Sequence, residues 1–305
     1  MKSFDYFKNY CGGELLKSKL NSLINSGKMP TSLILSAEEG FGKNLFARKI
    51  AEAYLEDRQE GVTRGVNPDC VIVSGSGPSS NITVESVREA CFEMYKSSTA
   101  ENGRRVCIIE DVKNLNPSSS AALLKTLEEP PERVMFILTA SSSKDTLETI
   151  SSRCVEFRID KPSIEESVEF IQRKFPETDY EKIRVELLFF RGGIGQTIRF
   201  FEDEDFRIMK ELAEQFSMHC YDNMILPAMS DLSRLTNRKE MDEFLEIAIL
   251  SMHSNYLISD PGRVSGLIDV ISEMKCDLIQ KNVNLNLFGT ELSRRLMEKN
   301  ENSRG

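Results

Sequence analysis

Histidine is scarce: His219 and His253 are all that 305 residues contain, and they share no close motif. That removes the support for a histidine-based metal centre or catalytic triad. The seven cysteines, Cys11, Cys70, Cys91, Cys107, Cys154, Cys220 and Cys276, are odd in number, scattered and never spaced C-x-x-C. Neither a paired-ligand zinc site nor a disulfide framework is expected, and free thiols in a reducing compartment are. No apolar run reaches membrane-spanning length. The start, Met1 to Phe7, has no long apolar core, so no secretory leader or membrane partner is expected and the location is expected to be cytoplasmic. Excess basic charge is missing too. Lys and Arg number 39 against 48 Asp and Glu, a net charge of −9. With no aromatic–basic cluster, a bare nucleic-acid-binding module is disfavoured, although a local basic face remains open.

What is present is the profile of a globular protein, 40% apolar and 29% charged. Its length suits two or three domains. The most informative early stretch is Ala37 to Asn44. It follows an apolar run, Ser32 to Ser36, and leads into a helix-like run, Leu45 to Leu55. Strand, glycine loop and helix in that order are the context of a P-loop, G-x-x-x-x-G-K-[ST]. Gly42 and Lys43 fit the pattern. Ala37 stands where the first glycine belongs, and Asn44 replaces the hydroxyl residue that carries magnesium. Gly40 and Gly42 still allow the backbone to curl its N–H groups toward an anion. A glycine turn that merely joins strand to helix is the plain alternative. P-loop ancestry is the better reading, and retained ATP hydrolysis is a separate question.

A short β-branched run, Asp69 to Val73, reads as a second strand, and a further apolar strand, from Arg105, ends in Glu110-Asp111. Acids at a strand end are often simple loop caps. One βαβ interval after a P-loop, they match the magnesium-holding acid and the water-polarising acid. Their order is the reverse of Asp-Glu, and Asp111 is one methylene shorter than the usual base. Asn116-Pro117 reads as a helix cap with proline at the first helical position. That helix is expected to stop at Pro130-Pro131. Val134 to Thr139 reads as a buried strand, and Val155 to Ile159 as a last short one. Ser163 to Glu166 is a capping-box pattern, and Thr178 to Glu181 is another. From 205 onward the spacing is helical throughout, with expected helices at 206–218, 222–235, 238–252, 261–280 and 287–299.

The run Leu123-Leu-Lys-Thr-Leu-Glu-Glu-Pro-Pro131, with Ser152-Arg153-Cys154 downstream, resembles the bacterial clamp-loader AAA+ ATPases of DNA polymerase III. The resemblance implies an α/β N-terminal P-loop AAA+ domain, a parallel sheet with helices on both faces, over 1–160. A small all-α lid over 161–204 and an all-α collar bundle over 205–305 would follow. The segment 281–287 resembles one near the end of clamp-loader chains. A monomeric helical bundle would use the same leucines, so the collar's role in ring formation stays an implication of the resemblance.

In that family the Ser-Arg-Cys arginine is presented to ATP on the neighbouring subunit, which makes Arg153 the expected arginine finger. A surface ion pair is the plain alternative. Asn44, the swapped acids Glu110 and Asp111, and the uncharged lid position Gly195–Gln196 resemble the non-motor subunits. Arg199, about a turn further on, is a poor substitute for the lid arginine. The post-strand sensor position falls near Ala140–Ser141, where motor subunits carry threonine. No cysteine lies between Lys43 and Cys70, where motor subunits have a zinc module, so no zinc is expected. The implied state is a chain with a vestigial nucleotide site (Gly40, Gly42, Lys43, Asn44, Glu110, Asp111) and no cofactor or hydrolysis of its own. Its implied partners are motor (gamma/tau) and delta subunits in a hetero-pentamer that puts a sliding clamp on primer-template DNA. The alternative is an active ATPase with a variant P-loop.

Overall fold

A computed structural model describes residues 6–7, 10–38, 40–75, 81–142, 146–280 and 284–302. Glu39 of the glycine loop and the first residues of 281–287 lie outside them. Five short apolar runs become strands: β1 (Ser32–Ser36), β2 (Cys70–Val73), β3 (Arg105–Ile109), β4 (Val134–Ala140) and β5 (Val155–Arg158). They form one sheet in the order β2-β3-β4-β1-β5, with every pairing parallel. Successive side chains on a strand point to opposite faces, and the two cores follow that alternation. Leu33, Leu35, Val106, Ile108, Met135 and Ile137 face one core. Ile34, Cys107, Ile109, Phe136 and Leu138 face the other.

Helices cover both faces, as parallel strands buried on two sides require. On the first face lie α1 (Glu14–Asn25) and α2 (Lys43–Leu55), contributing Leu20, Phe46, Ala47 and Ile50. On the second lie α3 (Val84–Glu93), α4 (Pro117–Glu128) and α5 (Glu148–Ser151), contributing Val87, Leu123, Leu127 and Ile150. Local chemistry sets their starts. Thr83 caps α3 by accepting from Ser86 N. Asn116 caps α4 by accepting from Ser119 N, with Pro117 at the first helical position as expected. A 3-10 turn, Val112–Asn114, follows β3, and its neighbour Leu115 bridges to Ile82.

The segment 56–69 is held by carboxylates. Asp57 accepts from Gln59 N, Val62 N and the Asn67 side chain at 2.7–3.2 Å. Glu52, almost fully buried, accepts from Thr63 N at 2.9 Å and from Lys49 Nζ at 2.9 Å. Lys49 also reaches Glu60, at 2.9 Å. Among the described residues, no group of three or more His, Cys, Asp or Glu side chains converges as a metal site would need.

The chain divides into two compact units, Met1–Tyr180 and Glu181–Gly305. The division falls within the stretch expected to form the lid. The first unit closes with α6 (Ile164–Lys174), whose capping box pairs Ser163 with Glu166 in both directions. The second is all helical: α7 (Tyr180–Phe189, entered from the boundary), α8 (Ile194–Glu202), α9 (Glu204–Tyr221), α10 (Ile225–Leu232), α11 (Arg238–Asn255), α12 (Pro261–Gln280) and α13 (Leu285–Asn302). Its core is aromatic and aliphatic, with Phe206, Phe216, Phe244, Ile271, Phe288 and Leu292 buried together. Phe216 and Phe244 meet edge-on at 5.3 Å between ring centroids. The Ser217 hydroxyl donates to Ala248 O at 3.0 Å, tying α9 to α11. His219 Nδ1 lies 2.7 Å from the buried Asp231 carboxylate. No helix among the described residues is long and apolar enough to cross a membrane.

Candidate functional site

The glycine loop leaves β1, between β4 and β5 in the sheet, and delivers Lys43 as the first residue of α2. Gly40 and Gly42 both sit at positive φ, 87° and 68°, where a Cβ would be strained. Tyr10 fixes the loop from the side. Its hydroxyl donates to Phe41 O at 2.6 Å, and its ring packs on Phe46 at 4.5 Å. Burial pushes the Tyr10 phenol well above its ordinary range. Nothing in the sequence pattern marks Tyr10 as part of the loop, since the contact spans 31 positions.

The structure brings Lys43, Asn44, Glu110 and Asp111 together, and each is already engaged. Lys43 Nζ is 2.8 Å from Asp111 Oδ1, in an approach outside hydrogen-bond geometry. The same ammonium donates to Ser141 Oγ at 3.3 Å. Asn44 Oδ1, in the position expected to serve magnesium, accepts from Thr139 Oγ1 at 2.7 Å. Thr139 Oγ1 in turn accepts from Asp111 N at 2.9 Å. Glu110 receives a fork from Arg48, with Nη2 at 2.8 Å and Nε at 3.3 Å. Asp111 itself turns the chain out of β3 at φ 57°, a left-handed conformation that aspartate tolerates better than most residues.

Two cations therefore face two carboxylates, and the local charge sums to zero. The expected sensor position, Ala140–Ser141, supplies a hydroxyl to Lys43. The hydroxyl on Asn44 comes from Thr139, one residue earlier. Arg48 was not foreseen, because its role depends on a contact 62 residues away. The residues present do not fit a magnesium–nucleotide: Lys43 is paired with Asp111, Asn44 is held by Thr139 and Glu110 by Arg48. A cleft of ≈ 300 Å³ opens beside the loop at the C-terminal ends of β1, β4 and β5. Ser36, Phe41, Glu156, Arg158 and Lys161 line it, and Lys43 and Asn44 do not. There Ser36 Oγ donates to Glu156 at 2.8 Å, and Lys161 Nζ stands 4.8 Å from the Phe41 ring centre.

Arg153 lies apart from this cluster, just after α5 and before β5. It is exposed at the surface. Its Nη1 donates to Thr149 O at 2.7 Å and to Ser152 Oγ at 3.0 Å. Its Nε donates to Glu128 Oε1 at 2.9 Å, and Nη2 bonds the same oxygen. The neighbouring Cys154 thiol is pushed up to about 12 by burial. In the helical unit, Gly195 and Gln196 fall inside α8. Arg199 is held by Asp203 at 3.1 Å and by Glu243, and its guanidinium stacks 4.2 Å from the Phe206 ring centre.

Residues 13–163 match the family model described as "DNA polymerase III, delta subunit". The chain is 30% identical over 178 residues to the DNA polymerase III subunit gamma of Buchnera aphidicola subsp. Acyrthosiphon pisum, covering 55% of this chain and 48% of that one. It is 30% identical over 172 residues to the DNA polymerase III subunit delta' of Pseudomonas aeruginosa, covering 52% of each. The chain thus spans about half the length of these curated relatives. Among solved structures, a gamma subunit-related protein from Thermotoga maritima superposes with a TM-score of 0.55 at 18% identity, covering 92% of this chain and 99% of that one. That likeness shows the fold alone: a parallel α/β sheet domain followed by helices.

Proposed function

We propose, because residues 13–163 match the family model described as "DNA polymerase III, delta subunit", that this chain is a delta-prime-like subunit of a clamp loader. In this reading it binds motor (gamma/tau) and delta subunits in a hetero-pentamer. The assembly places a sliding clamp on primer-template DNA. The chain neither holds zinc nor hydrolyses ATP, and it offers Arg153 to ATP on the adjacent motor subunit. A guanidinium suits that task because it is always charged and forks onto phosphate oxygens.

The observation that carries the reading is the closed state of the chain's own P-loop. Lys43 is matched by Asp111 at 2.8 Å, and Asn44 is matched by Thr139 at 2.7 Å. A triphosphate arriving there would have to displace both contacts, and the lysine it would meet is already paired with a carboxylate.

A second reading, an active ATPase with a variant loop, draws on one feature. Gly40 and Gly42 keep the left-handed backbone that lets N–H groups cradle an anion. Equilibrium binding of a fluorescent ATP analogue with magnesium, beside steady-state hydrolysis, separates the two. The structural-subunit reading expects neither binding nor turnover by the purified chain. Tight magnesium-dependent binding with turnover would overturn it in favour of the second.

A further inference from the structure

Glu128 is an odd residue for its place. It ends α4, with Glu129 as the cap and Pro130-Pro131 behind. The C-terminal end of a helix carries partial negative charge and disfavours carboxylates. Local rules broken without local gain point to a role elsewhere. What Glu128 does touch is Arg153, through both Nε and Nη2. Two stretches 25 residues apart, each singled out by its sequence, meet at one ion pair.

The guanidinium has five N–H donors in a fixed fork. One side, Nη1, is held by neutral acceptors of its own turn, Thr149 O and Ser152 Oγ. These orient the group without neutralising it. The other side, Nε and Nη2, is held by a carboxylate, and that is the fork a phosphate would use. We infer that Glu128 is a built-in competing anion for Arg153, occupying the phosphate-facing fork until a nucleotide phosphate of the adjacent subunit replaces it.

Release is feasible because the pair is open to water, with Glu128 half exposed and Arg153 one-third exposed. Exposed ion pairs are weak, whereas a triphosphate presents more charge in a drier interface. The Nη1 anchors remain through the exchange, so the finger keeps its aim. Glu128 thereby adds a competing anion to the apparent affinity for ATP at that site. This inference rests on the reading of Arg153 as a finger.

The test uses the reconstituted complex with its motor subunits and a titration of ATP, reading kcat and KM separately. Glu128→Gln keeps the size and an acceptor oxygen but removes the charge. The expected result is a KM for ATP lowered about two- to five-fold, the range of an exposed ion pair, with kcat little changed. The shift should vanish in an Arg153→Ala background. If Arg153→Ala lowers turnover while Glu128→Gln alters neither constant, the Glu128 inference falls and the finger stands. A Glu128→Gln effect that persists without Arg153 assigns Glu128 a merely structural role and also overturns the inference. If Arg153→Ala changes nothing, the finger reading itself is lost. Glu128→Ala, read in the same way, guards against a residual role of the amide.

Discussion

Lys43 Nζ and Asp111 Oδ1 stand 2.8 Å apart, joining the first residue of α2 to the residue that follows Glu110 beyond the end of β3. The lysine side chain is 11% exposed and the aspartate 27%, so water screens the pair only partly. Lys43→Ala is expected to leave Asp111 without its cation and to lower stability by about 1–3 kcal/mol, the cost of stripping a partner from a partly buried polar group. ATP turnover by the assembled loader should change little. Urea unfolding beside turnover checks both, and a large loss of turnover with normal assembly would contradict the non-hydrolysing reading.

Arg153→Ala should leave the fold intact, since the side chain is at the surface and its ion pair is exposed, worth about 0.2–1 kcal/mol. On the finger reading proposed above, hydrolysis at one motor site should fall by roughly 10³-fold or more, the scale on which arginine fingers act. Total turnover by the complex falls less if its other sites keep firing. Single-turnover kinetics on the reconstituted complex would resolve the one silent site.

Gly42→Ala would disturb the loop even if no anion ever binds there. The residue lies at φ 68°, and an added Cβ would sit 3.3 Å from Tyr10 Cε2. The left-handed backbone alone costs about 1–2 kcal/mol for a residue with a side chain. A lower thermal midpoint with unchanged partner assembly is the expected outcome. An unchanged midpoint would mean that the loop relaxes at no cost.

Glu52→Ala removes the acceptor for Thr63 N and one of the two carboxylates on Lys49. Breaking a buried pair from one side costs about 3–5 kcal/mol, so cleavage of 56–69 by a protease should quicken markedly. The wild-type network also predicts a pH response. Burial lowers the Lys49 pKa, but the hydrogen bonds it donates to Glu60 and Glu52 jointly outweigh this and raise the pKa above 10.5. Its stabilisation is full below that unfolded value and is lost as pH climbs through the higher folded value. Unfolding followed from pH 8 into the alkaline range would reveal the loss.

Thiol labelling at pH 8 offers a check on packing. Burial pushes Cys70 and Cys154 up to about 12, so both remain thiols and react slowly. Cys276 is exposed and should be alkylated first. Mass spectrometry of the native chain that finds Cys70 modified as fast as Cys276 would contradict the packing of β2.

Much of the architecture was legible where the determinants are local. Asn116 with Pro117, and Ser163 with Glu166, announce helix starts through contacts three residues long. The β1 run, glycine turn and lysine fix the P-loop in the same way. Legibility fails where contacts are distant or signals are short. The four-residue α5 is too brief to show a period, so the stretch before Arg153 reads only as a lead-in to β5. Spacing alone suggests a helix over 222–235, but Asn223 takes φ 60°, and α10 opens at Ile225. Helix α8 starts at Ile194, with Gly193 as its cap and Gly195 inside it. The ties that close the nucleotide site, Arg48 to Glu110 and Thr139 to Asn44, span 62 and 95 positions. No periodicity reports on such pairs.

The residues around Lys43 and those around Arg153 form two sets with no member in common. One comprises Tyr10, Lys43, Asn44, Arg48, Glu110, Asp111, Thr139 and Ser141. The other comprises Glu128, Thr149, Ser152 and Arg153. Heritable change can therefore erode the first without touching the second. Substitutions could accumulate in one set while the contacts of the other stayed whole, and the two would drift at separate rates.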